Sequence, residues 1–354
     1  MSVVSNLFAG EIRVSLKTAA GILTAYPASA AALTKIAAAL PKAERRRETS
    51  AKNGADVPPL LIVSTTEECN LSCKGCYACE RGEKRGALPS DRVYEVLDEA
   101  SELGVSVVLL AGGEPLLSHD WLNAMSKQDS MLGLVFTNGT LLDKRRLAWF
   151  AENRHLIPLL SIDGNAAQTD ARRGEGVYAK VSEAMSALRS SGIPFGVSVA
   201  VTGENMGETL NSGFTEEYMQ KGCRLFVYVE YVPAEAGTEA LVLSKEDKRR
   251  LSDFAAQSMK EYAALFVAFP GDEEPYGGCL AAGRGFVHIG ADGSLEPCPF
   301  APFSDVSLKN TSLKDALNSA LLAKVRENHH LLIEGEGGCA LWRKRELLTE
   351  LTQE

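Results

Sequence analysis

The segment that decides the fold is residues 60–79, which read LLIVSTTEECNLSCKGCYAC. Its first four residues are all aliphatic, and such a run predicts a short buried strand over residues 60–63. The strand leads within a few residues into four cysteines, at positions 69, 73, 76 and 79. In α/β proteins the ligand lies beyond the carboxyl ends of the parallel strands. The thiols after this first strand are therefore candidate ligands of a metal or a cluster.

The composition of the whole chain favours thiols that serve as ligands. The chain has 354 residues, a formal net charge of −9 and eight cysteines. This length suits one large domain or two, with a core that needs no disulfides. The acidic balance argues against nucleic-acid binding driven by bulk charge. Glu11 and Arg13 lie where a signal peptide would have an unbroken apolar run, so we predict a cytoplasmic protein with reduced thiols.

Alternating strands and helices extend outward from the first strand, beginning at Pro58. The predicted strands are, in chain order, residues 60–63, 105–110, 134–136, 156–162, 197–201 and 225–229. The segments between them contain apolar residues with a helical period, so the units predict a parallel sheet covered by helices. Six units are too few for a complete eight-fold barrel. A doubly wound sheet and an incomplete barrel both fit this pattern.

An Ala-rich segment precedes the first strand. Residues 18–40 are long enough to span a bilayer, but they contain Pro27 and Lys35 and are mostly alanine. We interpret them as one or two helices that pack on the main domain. The alternative is a peripheral membrane contact in which arginines 45–47 face anionic headgroups. Residues 42–56 are predicted to be a polar linker.

The spacing of the first four thiols distinguishes three kinds of site. A structural zinc site pairs two C-x2-C knuckles a dozen or more residues apart, whereas these four thiols lie within eleven residues. A bacterial ferredoxin would have Cys-Pro at positions 83 and 84, where this chain has Glu-Lys. The remaining frame is Cys69-x3-Cys73-x2-Cys76. Three thiolates on a four-iron cube leave one iron open to a chelating substrate or cofactor.

This frame resembles the cluster motif of the radical S-adenosylmethionine (SAM) superfamily. The resemblance implies a catalytic [4Fe–4S] cluster on Cys69, Cys73 and Cys76, whose open iron is chelated by the amino and carboxylate groups of SAM. Reductive cleavage would then give methionine and a 5′-deoxyadenosyl radical, which abstracts hydrogen from a substrate. Family members often have an aromatic residue before the third cysteine. Here that position is Gly75, and Tyr77 follows the cysteine instead.

The end of the second predicted strand supports the same resemblance. Residues 111–115 read AGGEP and resemble the GGEP motif of the superfamily. The resemblance implies that Gly112 and Gly113 let the backbone approach the methionyl part of SAM closely. It also implies that Glu114 accepts a hydrogen bond from the ammonium group. Taken alone, the motif is equally typical of a simple strand-to-helix turn.

Polar residues also follow the third and fourth strands. The resemblance implies that Thr137, Ser161 and Asp163 contact the carboxylate and ribose of the cofactor, although Asn-Gly and Asp-Gly pairs at these places are typical of turns as well. Residues 170–178 resemble a segment of peptide-modifying members. We interpret Arg172 and Arg173 as solvated surface residues, with contact to a carboxylate as the alternative.

Aromatic and acidic residues near the sixth strand are the candidates for substrate contact. Tyr228, Glu230 and Tyr231 are predicted to face the mouth of the barrel. No residue in the sequence stands out as a general base. The catalytic residues are therefore left unassigned.

A second set of cysteines lies in the C-terminal third. Thirteen residues separate Cys279 from Gly293, and four separate Gly293 from Cys298. This C-x13-G-x4-C spacing resembles the opening of SPASM and twitch extensions, which hold auxiliary [4Fe–4S] clusters. The resemblance implies Cys279, Cys298 and Cys339 as ligands. The fourth ligand stays open: the cluster has either no fourth protein ligand, a non-cysteine ligand, Cys79 or Cys223. A zinc site built from these C-terminal cysteines is the alternative to a cluster. Cys223 is more typical of a buried core thiol.

Together these patterns predict an α/β fold, an incomplete (β/α)6 TIM-like barrel with an N-terminal helical extension and a small C-terminal cluster-binding domain. The predicted boundaries are residues 1–56 for the helical extension and linker and residues 57–240 for the partial barrel. Residues 241–354 are predicted to form a linker helix and a twitch-like or SPASM-like domain. We find no internal repeat.

The predicted function is that of a radical SAM enzyme supplied with electrons by a flavodoxin or ferredoxin. Family analogy favours a peptide or protein substrate, and a lipid or another small molecule is the alternative. The alternative from a different functional class is a non-catalytic electron carrier with two clusters. Such a carrier would not need the GGEP motif or the pair Ser161 and Asp163. No nucleic-acid partner is expected.

Overall fold

A computed structural model describes residues 16–82, 86–269, 278–332, 339–346 and 348. The sequence features noted at Glu11, at Arg13 and at positions 83 and 84 lie outside these residues. All structural statements below concern the described residues.

One curled sheet forms the centre of the fold. Its strand order is β7-β6-β5-β4-β3-β2-β1-β8-β9. Strands β1 to β8 run parallel, and β9 pairs antiparallel with β8. The strands are β1 Leu60–Ser64, β2 Val107–Ala111, β3 Leu132–Thr137, β4 Leu156–Ile162, β5 Gly196–Val201, β6 Leu225–Glu230, β7 Leu265–Phe269, β8 Phe286–Ile289 and β9 Leu295–Glu296.

Helices alternate with the strands and cover the outer face of the sheet. The described helices are α1 Leu16–Ala25, α2 Ala30–Lys52, α3 Ser90–Leu103, α4 His119–Ser126, α5 Lys144–Glu152, α6 Ala166–Arg173, α7 Val177–Ser190, α8 Met206–Thr209, α9 Ser212–Lys221, α10 Lys245–Glu261, α11 Leu313–Ala316, α12 Ala320–Glu327 and α13 Ala340–Arg343. Helix α3 illustrates the sequence logic. Its buried residues Val93, Val96, Leu97 and Ala100 form one helical face, and it ends at Gly104, whose φ is 101°.

The predicted TIM-like partial barrel is confirmed, and the sheet is larger than the sequence suggests. All six predicted strands are present, and β7 and β8 add two further parallel strands. Leu60 of β1 is in register with Phe286 of β8, so part of the predicted C-terminal domain belongs to the barrel sheet. The rings of Phe269 on β7 and Phe286 lie 5.3 Å apart, which brings the two sides of the curled sheet together. The domain boundary at residue 240 stays a prediction.

The N-terminal helices pack on the barrel, as predicted. Tyr26, between α1 and α2, is buried, and its hydroxyl donates to the carbonyl of Gly222 at 2.5 Å. Helix α2 continues through Pro41 to Lys52. Residues 42–52 are therefore helical and not the predicted linker, because α2 keeps its hydrogen bonding on both sides of the proline.

Two of the three arginines on α2 have partners in the protein. Arg46 donates to the carbonyl of Ser101 at 2.6 Å, and Arg47 donates to the carbonyl of Gly104. These carbonyls lie at the carboxyl end of α3, where a helix leaves its last acceptors unpaired. Among the described helices, none alone is long and apolar enough to cross a membrane. The segments Lys17–Ala25 and Pro27–Lys52 pass that test only as a pair bent by 109°.

The strands enclose a cavity of about 730 Å³ that runs from the cysteine loop to the N-terminal helices. Its wall is formed largely by inward aliphatic side chains such as Leu134, Val229 and Val267, which are only partly buried. Ile22 of α1 and Leu33 of α2 lie at its base. A complete TIM barrel fills this space with side chains. Here the interior is left as an apolar lumen, the name used below for this lower part of the cavity.

Candidate cluster and cofactor site

The first three cysteines line one end of the cavity. Cys69, Cys73 and Cys76 lie in the loop after β1, and all three carry free thiols. The loop between the second and third cysteines is fixed by its backbone. The amide of Lys74 donates to the carbonyl of Arg172 at 3.0 Å, and the amide of Gly75 donates to Oε2 of Glu235 at 2.6 Å. The thiols are thus held on a loop that is bonded to two other elements.

The charges around this loop affect the thiols differently. Burial raises the pKa of the Cys69 thiol. Burial also raises the pKa of Cys73, but the nearby guanidinium groups of Arg173 and Arg172 oppose that rise. Iron binds the thiolate form of cysteine, so cations beside Cys73 favour the form that a cluster needs.

Gly112 and Gly113 hold the end of β2 against the cysteine loop. The amide of Gly113 donates to the carbonyl of Thr66 at 2.8 Å. A Cβ on Gly113 would lie 2.0 Å from the carbonyl oxygen of Glu68, and one on Gly112 would lie 2.7 Å from that of Thr66. Both glycines also line the cavity. The protein's own backbone therefore requires glycine here, and contact with the cofactor stays a prediction.

Glu114 joins the ends of β2 and β3. Its carboxylate is 1% exposed and accepts hydrogen bonds from the hydroxyl of Thr137 at 2.7 Å, the amide of Leu116 at 3.0 Å and the amide of Asn138 at 2.8 Å. Burial raises the pKa of Glu114, while these donors oppose the rise. Thr137 is fully buried and bonded to Glu114, so the structure gives it a supporting place beneath that carboxylate. The predicted cofactor contacts of Glu114 and Thr137 are not tested by this geometry.

Asn138 is a site residue that the sequence analysis treats only as part of a turn. It lines the cavity, and its Nδ2 donates to Oδ1 of Asn70 at 2.8 Å and lies 4.0 Å from Sγ of Cys69. Its Oδ1 accepts from the hydroxyl of Thr140 at 2.7 Å. Its position at the end of β3, two strands from the cysteine loop, is the signal that could have identified it.

Asp163 and two arginines form a buried ionic cluster beside Cys73. Nη1 of Arg172 and Nε of Arg173 lie 2.7 and 2.6 Å from the carboxylate oxygens of Asp163. Burial would raise the pKa of Asp163, but the charges of Arg173 and Arg172 outweigh it, so the pKa lies below its usual range. The interpretation of these arginines as solvated surface residues is wrong. They lie mostly inside the protein because the carboxylate compensates their charge.

The remaining predicted residues divide between the cavity and the core. Ser161, at the end of β4, lines the cavity, as do Glu230 and Tyr231. Tyr228 does not face the mouth, since it is fully buried with its ring 6.0 Å from that of Phe254. Side chains alternate between the two faces of a strand, and Val227 and Val229 of β6 line the cavity, so Tyr228 between them points away from it.

Comparison with known proteins identifies the family. Residues 63–212 match the Radical SAM superfamily, and this range contains the cysteine loop, the AGGEP segment and the ends of β3 and β4. These residues therefore form a domain of the radical SAM superfamily. Its members are enzymes that use a [4Fe–4S] cluster and SAM, and these are therefore the cofactors of this radical SAM protein.

Individual relatives differ in what their names say they make. The chain is 26% identical over 319 residues to "AdoMet-dependent heme synthase" of Methanosarcina barkeri, covering 82% of this chain and 90% of that protein. It is 25% identical over 287 residues to "Antilisterial bacteriocin subtilosin biosynthesis protein AlbA" of Bacillus subtilis, covering 78% of this chain and 63% of that protein. The fold is similar to that of Streptococcus suis SuiB bound to precursor peptide SuiA, with a TM-score of 0.63 and 18% identity. The match covers 79% of this chain and 69% of that chain.

The residues of the cysteine loop fit a cluster held by three ligands. Three free thiols line a single cavity, and the loop that carries them is fixed by the amides of Lys74 and Gly75. Within the described parts of the chain, no three His, Cys, Asp or Glu side chains converge on one metal ion.

The second cysteine set of the radical SAM protein lies in one neighbourhood. Cys279 and Cys298 are buried, and Cys339 is partly exposed. The amide of Ala282 donates to the carbonyl of Pro297 at 3.0 Å, and the amide of Cys279 donates to the carbonyl of Leu332 at 3.1 Å. The ammonium of Lys344, five residues after Cys339, donates to the carbonyl of Leu331. Three segments that each carry one cysteine are thus adjacent.

The two unplaced thiols have different surroundings. Cys223 is fully buried in the core, and burial raises its pKa to about 12. The expectation of a core thiol is thereby confirmed. Cys79 is exposed and lies close to Cys76; burial of its thiol and then the neighbouring Cys76 raise its pKa to about 11. Its place beside the first set makes it part of the cysteine loop, and its role stays open.

A buried polar network connects the two cysteine regions. Nε2 of His288 lies 2.9 Å from the hydroxyl oxygen of Ser64, and its Nδ1 lies 2.7 Å from Oε2 of Glu296. Nη2 of Arg81 donates to Oε1 of Glu296 at 2.7 Å. Arg81 follows Cys79 by two residues and Glu296 precedes Cys298 by two. This Ser64–His288–Glu296–Arg81 network, which the sequence analysis missed, ties β1 and its loop to β8 and β9.

Proposed function

We propose that this radical SAM enzyme uses the radical from SAM cleavage to abstract hydrogen from a peptide or protein substrate. The observation that carries the site is the placement of Cys69, Cys73 and Cys76 on one cavity with Gly112 and Gly113. When bound to these cysteines, the cluster supplies one electron to SAM. One electron and one SAM give methionine and a 5′-deoxyadenosyl radical, and the radical takes one hydrogen atom to become 5′-deoxyadenosine.

The arginine pair supports cofactor binding at this end of the cavity. Arg172 and Arg173 carry two positive charges, and Asp163 offsets one of them. The remaining charge lies beside Cys73, on the wall of the cavity. A guanidinium in such a place is suited to a carboxylate. We propose that it attracts the carboxylate of SAM and that Ser161, which lines the same cavity, contacts the cofactor.

A peptide substrate is supported by the relatives. AlbA is named as a bacteriocin biosynthesis protein, and the similar fold of SuiB is seen with its precursor peptide. Glu230 and Tyr231 line the cavity together with the cysteine loop. Charged and aromatic side chains in this part of the cavity suit a peptide backbone and its side chains.

A second candidate substrate is a bulky apolar small molecule. The apolar lumen below the cysteines favours it, because aliphatic side chains such as Leu134, Val229 and Val267 are left partly uncovered there. A relative is named as a heme synthase, and heme is a large and mainly apolar ring. Lipids belong to the same candidate class.

We further propose an auxiliary [4Fe–4S] cluster on Cys279, Cys298 and Cys339, in a twitch-like or SPASM-like region. The adjacency of their three segments supports this proposal. It predicts about eight irons per chain after reconstitution and about four in a Cys298→Ala variant, while a count of four in both would reject it.

The proposed reaction is tested by anaerobic reconstitution with iron and sulfide, followed by dithionite and SAM. The wild type should form 5′-deoxyadenosine, and the Cys69→Ala/Cys73→Ala/Cys76→Ala variant should form none. Cys223→Ala is the matched thiol control, because Cys223 is a core residue, and it should keep the activity. Formation of 5′-deoxyadenosine by the triple variant, or none by the wild type, would refute the assignment.

The substrate class is tested by the origin of the hydrogen. The enzyme is offered three deuterated pools in turn: peptides, lipids and iron porphyrin. The pool that contains the substrate should raise the mass of 5′-deoxyadenosine by about one unit, because the radical takes one hydrogen from it. A mass gain with lipid or porphyrin and none with peptide would replace the peptide proposal.

A further inference from the structure

Tyr231 has a buried hydroxyl that the proposed chemistry does not use. Its side chain is 5% exposed, and its Oη has no hydrogen-bond partner among the residues that the structure describes. A buried hydroxyl without a partner is costly, so such a group points to a missing ligand. Tyr231 lines the same cavity as Cys69, Cys73 and Cys76. The missing partner therefore belongs to this end of the cavity.

The hydroxyl lies directly against the cysteine loop. A Cβ built on Gly75 would be only 2.2 Å from Oη of Tyr231, so the phenol occupies the space that a side chain of residue 75 would take. Gly75 is bonded to Cys76 and has a φ of +65°. Both features require glycine, and together they bring the hydroxyl to the residue next to the third cysteine.

The position of the tyrosine is fixed from both sides. Its amide donates to the carbonyl of Val201 at 3.0 Å, which continues the β6–β5 pairing by one residue. Four residues later, the carboxylate of Glu235 accepts the amide of Gly75 at 2.6 Å. The segment after β6 and the cysteine loop are thus connected on both sides of the hydroxyl.

The nearby carboxylates already have donors. Glu235 accepts the amide of Gly75, and Oε2 of Glu230 lies 2.8 Å from the ammonium of Lys248. A phenol is a good donor, and the sulfur atoms of a cluster on Cys76 are acceptors on this side of the loop. Hydrogen bonds to the sulfurs are among the features that set the potential of an iron–sulfur cluster.

We propose that Tyr231 donates a hydrogen bond from its hydroxyl to a sulfur of the cluster held by Cys69, Cys73 and Cys76, and so raises the reduction potential of that cluster. The donor stabilises the reduced cluster more than the oxidised one, because reduction adds negative charge to the sulfurs. The inference rests on the proposed placement of the cluster on the three cysteines.

The test is a redox titration of the reconstituted full-length protein, followed by electron paramagnetic resonance without SAM. The signal of this cluster is the part that the triple cysteine variant lacks. Tyr231→Phe removes only the oxygen and should shift the potential of this signal to a more negative value, with the iron content unchanged. Tyr228→Phe is the matched control, because Tyr228 is also a buried tyrosine of this segment but does not line the cavity, and it should leave the potential unchanged.

Each other outcome overturns the inference. An unchanged potential in Tyr231→Phe would show that the hydroxyl does not act on the cluster. An unchanged potential together with weaker SAM binding would assign the hydroxyl to the cofactor instead. A wild type that holds no cluster on the three cysteines would overturn both this inference and the proposed function, whereas a normal yield of 5′-deoxyadenosine with an unchanged potential would overturn the inference alone.

Discussion

At the residue scale, Gly75 accounts for the departure of this chain from the usual cluster motif. The position before the third cysteine has no side chain because the phenol of Tyr231, which comes from the end of β6, fills that space. Gly75 also has a φ of +65°, where L side chains are strained. The phenol of Tyr231 thus occupies the space that a side chain at position 75 would otherwise take.

Gly75→Ala is expected to destabilise the cluster-free protein by about 1–3 kcal/mol, because of the positive φ and the contact with Tyr231. The cost should be smaller in a Tyr231→Phe background, since the nearest atom in the contact is the phenol oxygen. Urea unfolding of the two single variants and the double variant measures both costs. Equal costs in the two backgrounds would contradict this contact.

The ionic cluster at Asp163 gives a prediction about pH. Asp163→Asn leaves two guanidinium groups largely buried without their carboxylate, which should cost about 3–5 kcal/mol at pH 7. The pKa of Asp163 is lowered in the folded protein, so its contribution is full above the unfolded value of about 4 and is lost as the pH falls through the lower folded value. The difference between wild type and variant should therefore narrow at acid pH.

Denaturant unfolding of both proteins at a series of pH values measures this difference. Asp129→Asn is the control, because the pair of Asp129 with Lys35 is 57% exposed on both sides. It should change the free energy of unfolding by about 1 kcal/mol or less. A difference for Asp163→Asn that stays constant with pH would be inconsistent with a titrating carboxylate.

At the element scale, the Ser64–His288–Glu296–Arg81 network attaches β8 and β9 to the first strand of the barrel. Arg81 supplies the charge that Glu296 needs, so the imidazole between Glu296 and Ser64 can remain neutral. Burial lowers the pKa of His288, although Glu296 opposes this effect. The network explains why a four-residue strand with a central histidine joins the barrel sheet.

Glu296→Gln is expected to destabilise the protein by about 3–5 kcal/mol, because Arg81 would stay mostly buried beside a neutral amide. The matched control is Glu95→Gln, whose carboxylate is 63% exposed in its pair with Arg92. Thermal unfolding of the two variants should show a large loss for the first and a change of about 1 kcal/mol or less for the second. Equal effects would mean that the network adds no more stability than a surface pair.

At the scale of the whole molecule, the cysteine loop is bonded to several elements of the barrel. It contacts the end of β2 through Gly113, α6 through Arg172 and the segment after β6 through Glu235. A ligand that orders this loop therefore acts on the whole barrel. Binding to the folded state alone stabilises a protein by about 2.7 kcal/mol at 100 times the dissociation constant.

SAM should accordingly raise the melting temperature of the cluster-loaded protein. The increase should be much smaller after the cluster is removed by a chelator, because SAM would lose the iron that the proposed cluster offers to its amino and carboxylate groups. Scanning fluorimetry under anaerobic conditions measures both shifts, with the triple cysteine variant as the control. An equal shift in that variant would show that SAM binds independently of the cluster.

The sequence by itself indicated the family and the six central strands, and it singled out the three thiols of the proposed catalytic site. These features are local: a strand, a turn and ligand spacing are encoded by residues within about ten positions of one another. The helical period and the terminal glycine of α3 are equally local, because both belong to one stretch of sequence.

Only the tertiary structure decided which side chains meet across the barrel. It paired Asp163 with Arg172 and Arg173, placed Tyr231 over Gly75 and joined His288 to Ser64. These contacts depend on the curl of the sheet, the alternation of side chains along each strand and the desolvation of charges. None of these is a property of a short segment, so residue type and spacing alone could not predict them.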